Sequence, residues 1–214
     1  MKICCLGQNF KYELEKLARI FLPFEKIEML DKVETADRYA VVEQLEKDGE
    51  MYARAKLFLN GKIAEKQYLI TPEDEDFGKV CERVLATALF DCFIEITGYK
   101  PEWGILTGVR PAKLFSRLSK KMGVSAACNY FENELKVSKN KISLCMDAVR
   151  GESAITSLSN PDNFSLYLSV PFCPTRCSYC SFVSHSVDKA QKLIPQYVEL
   201  LCCEIEETGK SLPI

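Results

Sequence analysis

Cys173, Cys177 and Cys180 put three thiols within eight residues, at the spacing C-x3-C-x2-C. Three thiolates on one short loop can grip three corners of a cubane iron–sulfur cluster, because thiolate is the ligand class that such iron takes. A fourth cysteine would close the cluster for electron transfer. Ser181, Phe182, Val183 and Ser184 follow instead, so a fourth iron would stay open to a substrate or cofactor. Two other readings stand beside this one. A structural zinc site needs a fourth ligand, and only His185, the sole histidine, is near; C-x3-C-x2-C-x4-H is not a common zinc spacing. The third reading is three unligated thiols. The chain has 11 cysteines. In a chain too large to need disulfide staples, that usage points to metal or redox chemistry. Cys202 and Cys203 are consecutive on a helical segment and point in different directions, which argues against a vicinal metal pair.

A loop of this kind must be positioned by its neighbours. Phe164–Val170 reads as a strand, and residues 193–206 return to helical spacing with Leu193, Ile194, Tyr197, Leu200, Leu201 and Ile205. Pro195 must sit in the first turn of that helix. Strand, loop and helix make one βα unit, which cannot close a sheet alone. The chain reaches Ser211–Ile214 where a second strand should begin, so the sequence reads as truncated there. The breaker-rich stretch Ser159-Asn160-Pro161-Asp162-Asn163 is the best boundary, separating residues 1–160 from 161–214.

The first part reads as an α+β domain: strand and helix, antiparallel meander, then helices. Residues 2–6 are a short apolar strand, and residues 11–22 are a helix that Pro23 ends. Three runs follow, Tyr39–Lys47, Met51–Leu59 and Lys62–Ile70, separated by Asp48-Gly49 and Asn60-Gly61. Both pairs suit two-residue type I′ turns, whose central residues need positive φ, so an antiparallel meander is expected. Thr71 is placed as an N-cap, with Pro72 opening a long helix that Gly98 stops. Its apolar stripe includes Cys81 and Cys92, which need no function beyond that of small core hydrophobes. Residues 99–160 read as all-helical, with starts at Pro111, Ser125 and Ser138 and an interruption at Gly151.

Composition narrows the function classes. Hydrophobic residues are 47% and charged residues 27%, which excludes disorder as the main state. A net charge of −2 lacks the basic excess of a general nucleic-acid binder. No segment has the roughly 18 apolar residues needed to span a bilayer, and the N-terminus lacks the pattern of a signal peptide, so the expected compartment is the cytoplasm.

Tyr167-Leu-Ser-Val-Pro171-Phe172-Cys173-x3-Cys177-Ser-Tyr179-Cys180 resembles the signature of radical S-adenosylmethionine enzymes, and more narrowly the oxygen-independent coproporphyrinogen III oxidase branch. Trp103-Gly-Ile-Leu-Thr-Gly108-Val-Arg110-Pro111-Ala-Lys113 resembles the HemZ-type coproporphyrinogen dehydrogenases of that branch. The resemblance implies that residues 161–214 begin a partial TIM-type (β/α) barrel, whose active groups lie at the C-terminal ends of the strands. It implies that Cys173, Cys177 and Cys180 hold a [4Fe-4S] cluster whose open iron S-adenosylmethionine chelates. Tyr179 matches an aromatic position against the adenine, and Tyr167 a cofactor-contacting tyrosine; the other reading of Tyr167 is a core aromatic on a strand. No catalytic side chain is assigned. The implied reaction is oxidative decarboxylation of coproporphyrinogen III to protoporphyrinogen IX, for haem biosynthesis. A donor such as flavodoxin or ferredoxin would supply the electron, and the 214-residue chain would be inactive alone. Ser169 and Phe182 stand where relatives carry histidine and a fourth cysteine, so the exact substrate stays open. The alternatives are another radical S-adenosylmethionine activity and a haem-binding chaperone.

Gly104–Lys113 has two readings. Arg110 and Lys113 at a helix start can receive an anion, such as a substrate propionate. Alternatively the glycines and Pro111 only build a turn and start a helix. Lys136, Lys139 and Lys141 read as a solvated face.

Overall fold

The computed structural model describes residues 1–71, 76–108, 110–160, 163, 165–175, 177 and 180–211. The chain divides into two compact units, Met1–Ser159 and Asn160–Ile214.

The first unit is built on a five-stranded mixed sheet, β1 (Lys2–Leu6), β2 (Glu28–Leu30), β3 (Tyr39–Lys47), β4 (Glu50–Leu59) and β5 (Lys62–Leu69), in the order β2-β1-β3-β4-β5. β3, β4 and β5 form the antiparallel meander, in the register Tyr39↔Phe58 and Phe58↔Ile63. Both turns have positive φ at both central residues: 56° and 79° at Asp48 and Gly49, 52° and 73° at Asn60 and Gly61. These are the angles that match the twist of the flanking strands. β1 joins the meander by pairing parallel to β3, and β2 lies parallel on its other side.

α1 (Lys11–Phe21) and α2 (Phe77–Thr97) cover one face of the sheet. Alternate residues of β4, Ala53, Ala55, Leu57 and Leu59, are buried there, against the stripe Val80, Cys81, Leu85, Ala88, Leu89, Cys92 and Phe93. Phe21 stacks on Phe93 with ring centroids 4.6 Å apart and locks the two helices together. Truncating a ring so buried, as in Phe93→Ala, costs about 3–5 kcal/mol.

The start of α2 differs from the expectation. Asp76 caps it, accepting from the Gly78 N–H at 2.9 Å, and Thr71 lies outside the helix. A carboxylate that reaches two residues ahead satisfies an orphan N–H and adds a charge favoured by the helix dipole, so Asp76 outcompetes Thr71. Pro72, placed at the first helical position, falls outside the described residues. Gly98 ends α2 in the left-handed conformation.

A second core holds α3 (Pro111–Met122), α4 (Val124–Asn129), a single π-helical turn at Tyr130–Glu134, and α5 (Lys139–Thr156). Phe115 and Phe131 meet edge to face at its centre, with centroids 5.2 Å apart. Ser138 caps α5 by accepting from the Lys141 N–H. Gly151 does not interrupt α5, which runs through it to Thr156; one glycine costs only about 1 kcal/mol in a helix interior.

The second unit contains two-residue strands β6 (Phe172–Cys173) and β7 (His185–Ser186), then α6 (Val187–Ala190), a 3₁₀ turn and α7 (Ile194–Ser211), with Pro195 in its first turn. The expected strand at Phe164–Val170 is not formed: residues 165–170 are extended-to-irregular chain without ladder partners, and they are exposed. A parallel strand needs neighbours for its N–H and C=O groups, and among the described residues of this unit none pairs with 165–170. The expected second strand falls mainly on residues 212–214, outside the described residues. Among the described residues no helix is long and apolar enough to cross a membrane.

Candidate functional site

The cysteine segment is a loop tied at its base. Phe172 pairs with His185 and Cys173 with Ser186, and the His185 N–H donates to the Pro171 carbonyl at 2.8 Å. Tyr197, on α7, holds the approach to the loop. Its hydroxyl donates to the Ser169 carbonyl, and its ring meets Phe172 edge-on at 5.1 Å. In the sequence Tyr197 reads only as one apolar position of a helix. The signal that could have found it is an aromatic with a polar tip on the helix that follows the loop.

Inside the loop, the Cys180 N–H donates to the Cys177 carbonyl at 3.0 Å. The Cys173 thiol donates to the Thr175 carbonyl at 2.6 Å. Cys177 is exposed, while Cys173 and Cys180 are half-buried. The three thiols share one loop but are not gathered about a point, since no group of three His, Cys, Asp or Glu among the described residues converges as a metal site. The donor set nonetheless fits thiolate-ligated iron: three sulfurs on one segment, with the most accessible in the middle. To ligate, Cys173 must release the Thr175 carbonyl and lose its proton, because the thiolate is the ligand.

The remaining site residues are placed as follows. Tyr167 is 80% exposed and lies in no strand. Tyr179 lies outside the described residues. His185 is exposed, and it is its backbone that closes the loop. Cys81 and Cys92 are fully buried in the first unit's core, and burial pushes both thiols up, Cys92 to about 12. Such thiols stay protonated and inert at neutral pH.

The Gly104–Lys113 segment is first of all a packing device. Gly104 has φ of +58°, and a Cβ there would stand 2.0 Å from the Leu135 carbonyl oxygen. That close approach lets the Ile105 N–H donate to Leu135 and the Ser138 N–H donate to Glu102, which stitches the segment to the start of α5. Lys139 and Lys141 are not simply solvated: they pair with Glu132 and Glu102, and Lys141 also lies over the Trp103 ring.

No family model matches the chain. The chain is similar to the oxygen-independent coproporphyrinogen-III oxidase-like protein HemZ of Bacillus subtilis (strain 168), at 32% identity over 119 residues, which are 54% of this chain and 24% of that protein. It thus spans about a quarter of the length of the curated relative it matches.

Proposed function

We propose that the chain carries the cluster-binding segment of a radical S-adenosylmethionine oxidoreductase of the oxygen-independent coproporphyrinogen oxidase kind, acting in haem biosynthesis in the cytoplasm. The observation that carries the reading is C-x3-C-x2-C on a loop closed at its base, with Cys177 accessible. Similarity to a protein named as coproporphyrinogen-III oxidase-like supports the tetrapyrrole substrate.

Cys173, Cys177 and Cys180 would hold a [4Fe-4S] cluster, and Tyr167 and Tyr179 would contact the cofactor. When bound, cluster and S-adenosylmethionine supply the one-electron chemistry that removes hydrogen from a propionate side chain; the protein binds, orients and excludes water. The β6–β7 pairing fixes the separation of Cys173 from the far end of the loop. Tyr197 keeps the Ser169–Phe172 approach against α7, so Cys173 starts from a supported position while Cys177 is exposed.

Anaerobic incubation with ferrous iron and sulfide is expected to give a brown protein with about four irons and four sulfides per chain. Cys177→Ala should lose most of both. Stoichiometric zinc without sulfide in anaerobically purified protein would overturn the reading. Haem bound tightly, with no deoxyadenosine released on reduction, would favour the chaperone instead.

A further inference from the structure

Between Glu102 and Glu132 the chain has no Asp or Glu, yet carries Arg110, Lys113, Arg117, Lys120 and Lys121. The two flanking acids are taken by Lys141 and Lys139 of α5. All five cations are exposed, and none has a carboxylate partner among the described residues. At 3.6 residues per turn they fall within an arc of about 100° and extend about 16 Å along α3. Phe115, on the opposite side of the helix, is buried in the second core.

This face is charged against local preference. Like charges at i+3 and i+4 repel, and Arg110 and Lys113 add cations at the helix end that is already positive. Arg110 occupies the cap position without a side-chain cap, and the first turn has no acid. Two adjoining hollows run along the ridge. One of about 440 Å³ is lined by Arg110, Lys113, Leu114 and Arg117. The other, about 370 Å³, continues past Leu114 and Arg117 to Lys121, and Lys79 of α2 adds a further cation to it. Asp76 also lines the second hollow, with one carboxylate oxygen engaged as the α2 cap.

We propose that this face of α3 is a docking surface for the acidic face of a partner protein. Leu114 and Leu118 flank the cations on one side, lining the second hollow while packed in part against the second core, so an apolar margin borders the charged ridge. Tyr130, the aromatic beside the second hollow, has Arg83 over one face of its ring and bonded to its hydroxyl, so that face is not open for a base to stack. The proposal stands independently of the cluster chemistry.

The probe is a fluorescein-labelled helical peptide with Glu at i, i+3, i+4 and i+7, titrated by anisotropy with the full 214-residue chain. Binding is expected, weakening steeply with added salt. The Lys113→Glu, Arg117→Glu double variant should lose at least about tenfold in affinity. Reversing Lys47 and Lys62, exposed at the meander's hairpin ends, should change it less than about twofold. If the double reversal perturbs the melting transition, Lys113→Gln with Arg117→Gln carries the same comparison. Equal losses in both sets would overturn the proposal. So would tighter binding of single-stranded DNA than of the peptide at equal salt, or full competition by tricarballylate at equal carboxylate concentration.

Discussion

Gly104 and Cys92 show how single positions constrain this chain. With φ of +58° and a Cβ clash at 2.0 Å against the Leu135 carbonyl, Gly104→Ala must displace backbone on both sides. The expected cost is about 2–4 kcal/mol, read as a fall in the urea midpoint; a change under about 0.5 kcal/mol would mean that the two segments do not meet. Cys92 sets a pH dependence. Its thiol is raised by burial from 9.0 to about 12, so the folded chain holds that proton more tightly than the unfolded chain. Stability is therefore full below about pH 9 and falls as pH rises toward 12, by at most about 1.4 kcal/mol per pH unit for this one group. Unfolding curves between about pH 8 and 10.5 should show the decline, and Cys92→Ala should make it shallower, the other buried thiols Cys5, Cys81 and Cys145 keeping the rest. The cysteine motif was legible because ligand chemistry is written in residue type and spacing. Gly104 was legible only as a turn residue, because what it must avoid is thirty residues away in sequence.

At the scale of elements, α2 offers the sharpest test. Asp76→Ala removes the cap that the structure shows and should cost about 1 kcal/mol, whereas Thr71→Ala should cost a few tenths at most. A larger loss at Thr71, measured by the same urea unfolding, would move the helix start back to the sequence expectation. The hairpins could be read directly, because Asp48-Gly49 and Asn60-Gly61 encode their own geometry. β2 could not: Glu28–Leu30 is three residues long, and only its pairing with β1 makes it a strand. The segment at 165–170 shows the converse. Its Leu166, Leu168 and Val170 have strand propensity, but propensity supplies no hydrogen-bond partners.

For the whole molecule, the two units differ in what they bury. Among the described residues of Asn160–Ile214, Ala190 is the buried hydrophobic, while Met1–Ser159 holds two cores. Residues 1–159 expressed alone should melt in one cooperative transition, and residues 160–214 alone should show none by circular dichroism. Cooperative melting of the short piece would reveal a core that its described residues do not form.

The order in which the sheet assembles follows from its register. β3, β4 and β5 meet through two-residue turns, so their contacts close almost no loop, whereas Lys2 must find Tyr39 across α1 and β2. Loop closure sets the slower step. The meander should therefore be the folding nucleus, with β1 docking late. Ala55→Gly in β4 should slow refolding, while Ile3→Val in β1 should act mainly by speeding unfolding. A chain paused before β1 docks would present the β1-facing edge of β3, with its unpaired backbone groups, to any neighbour: in refolding at high concentration, that edge is where association would begin.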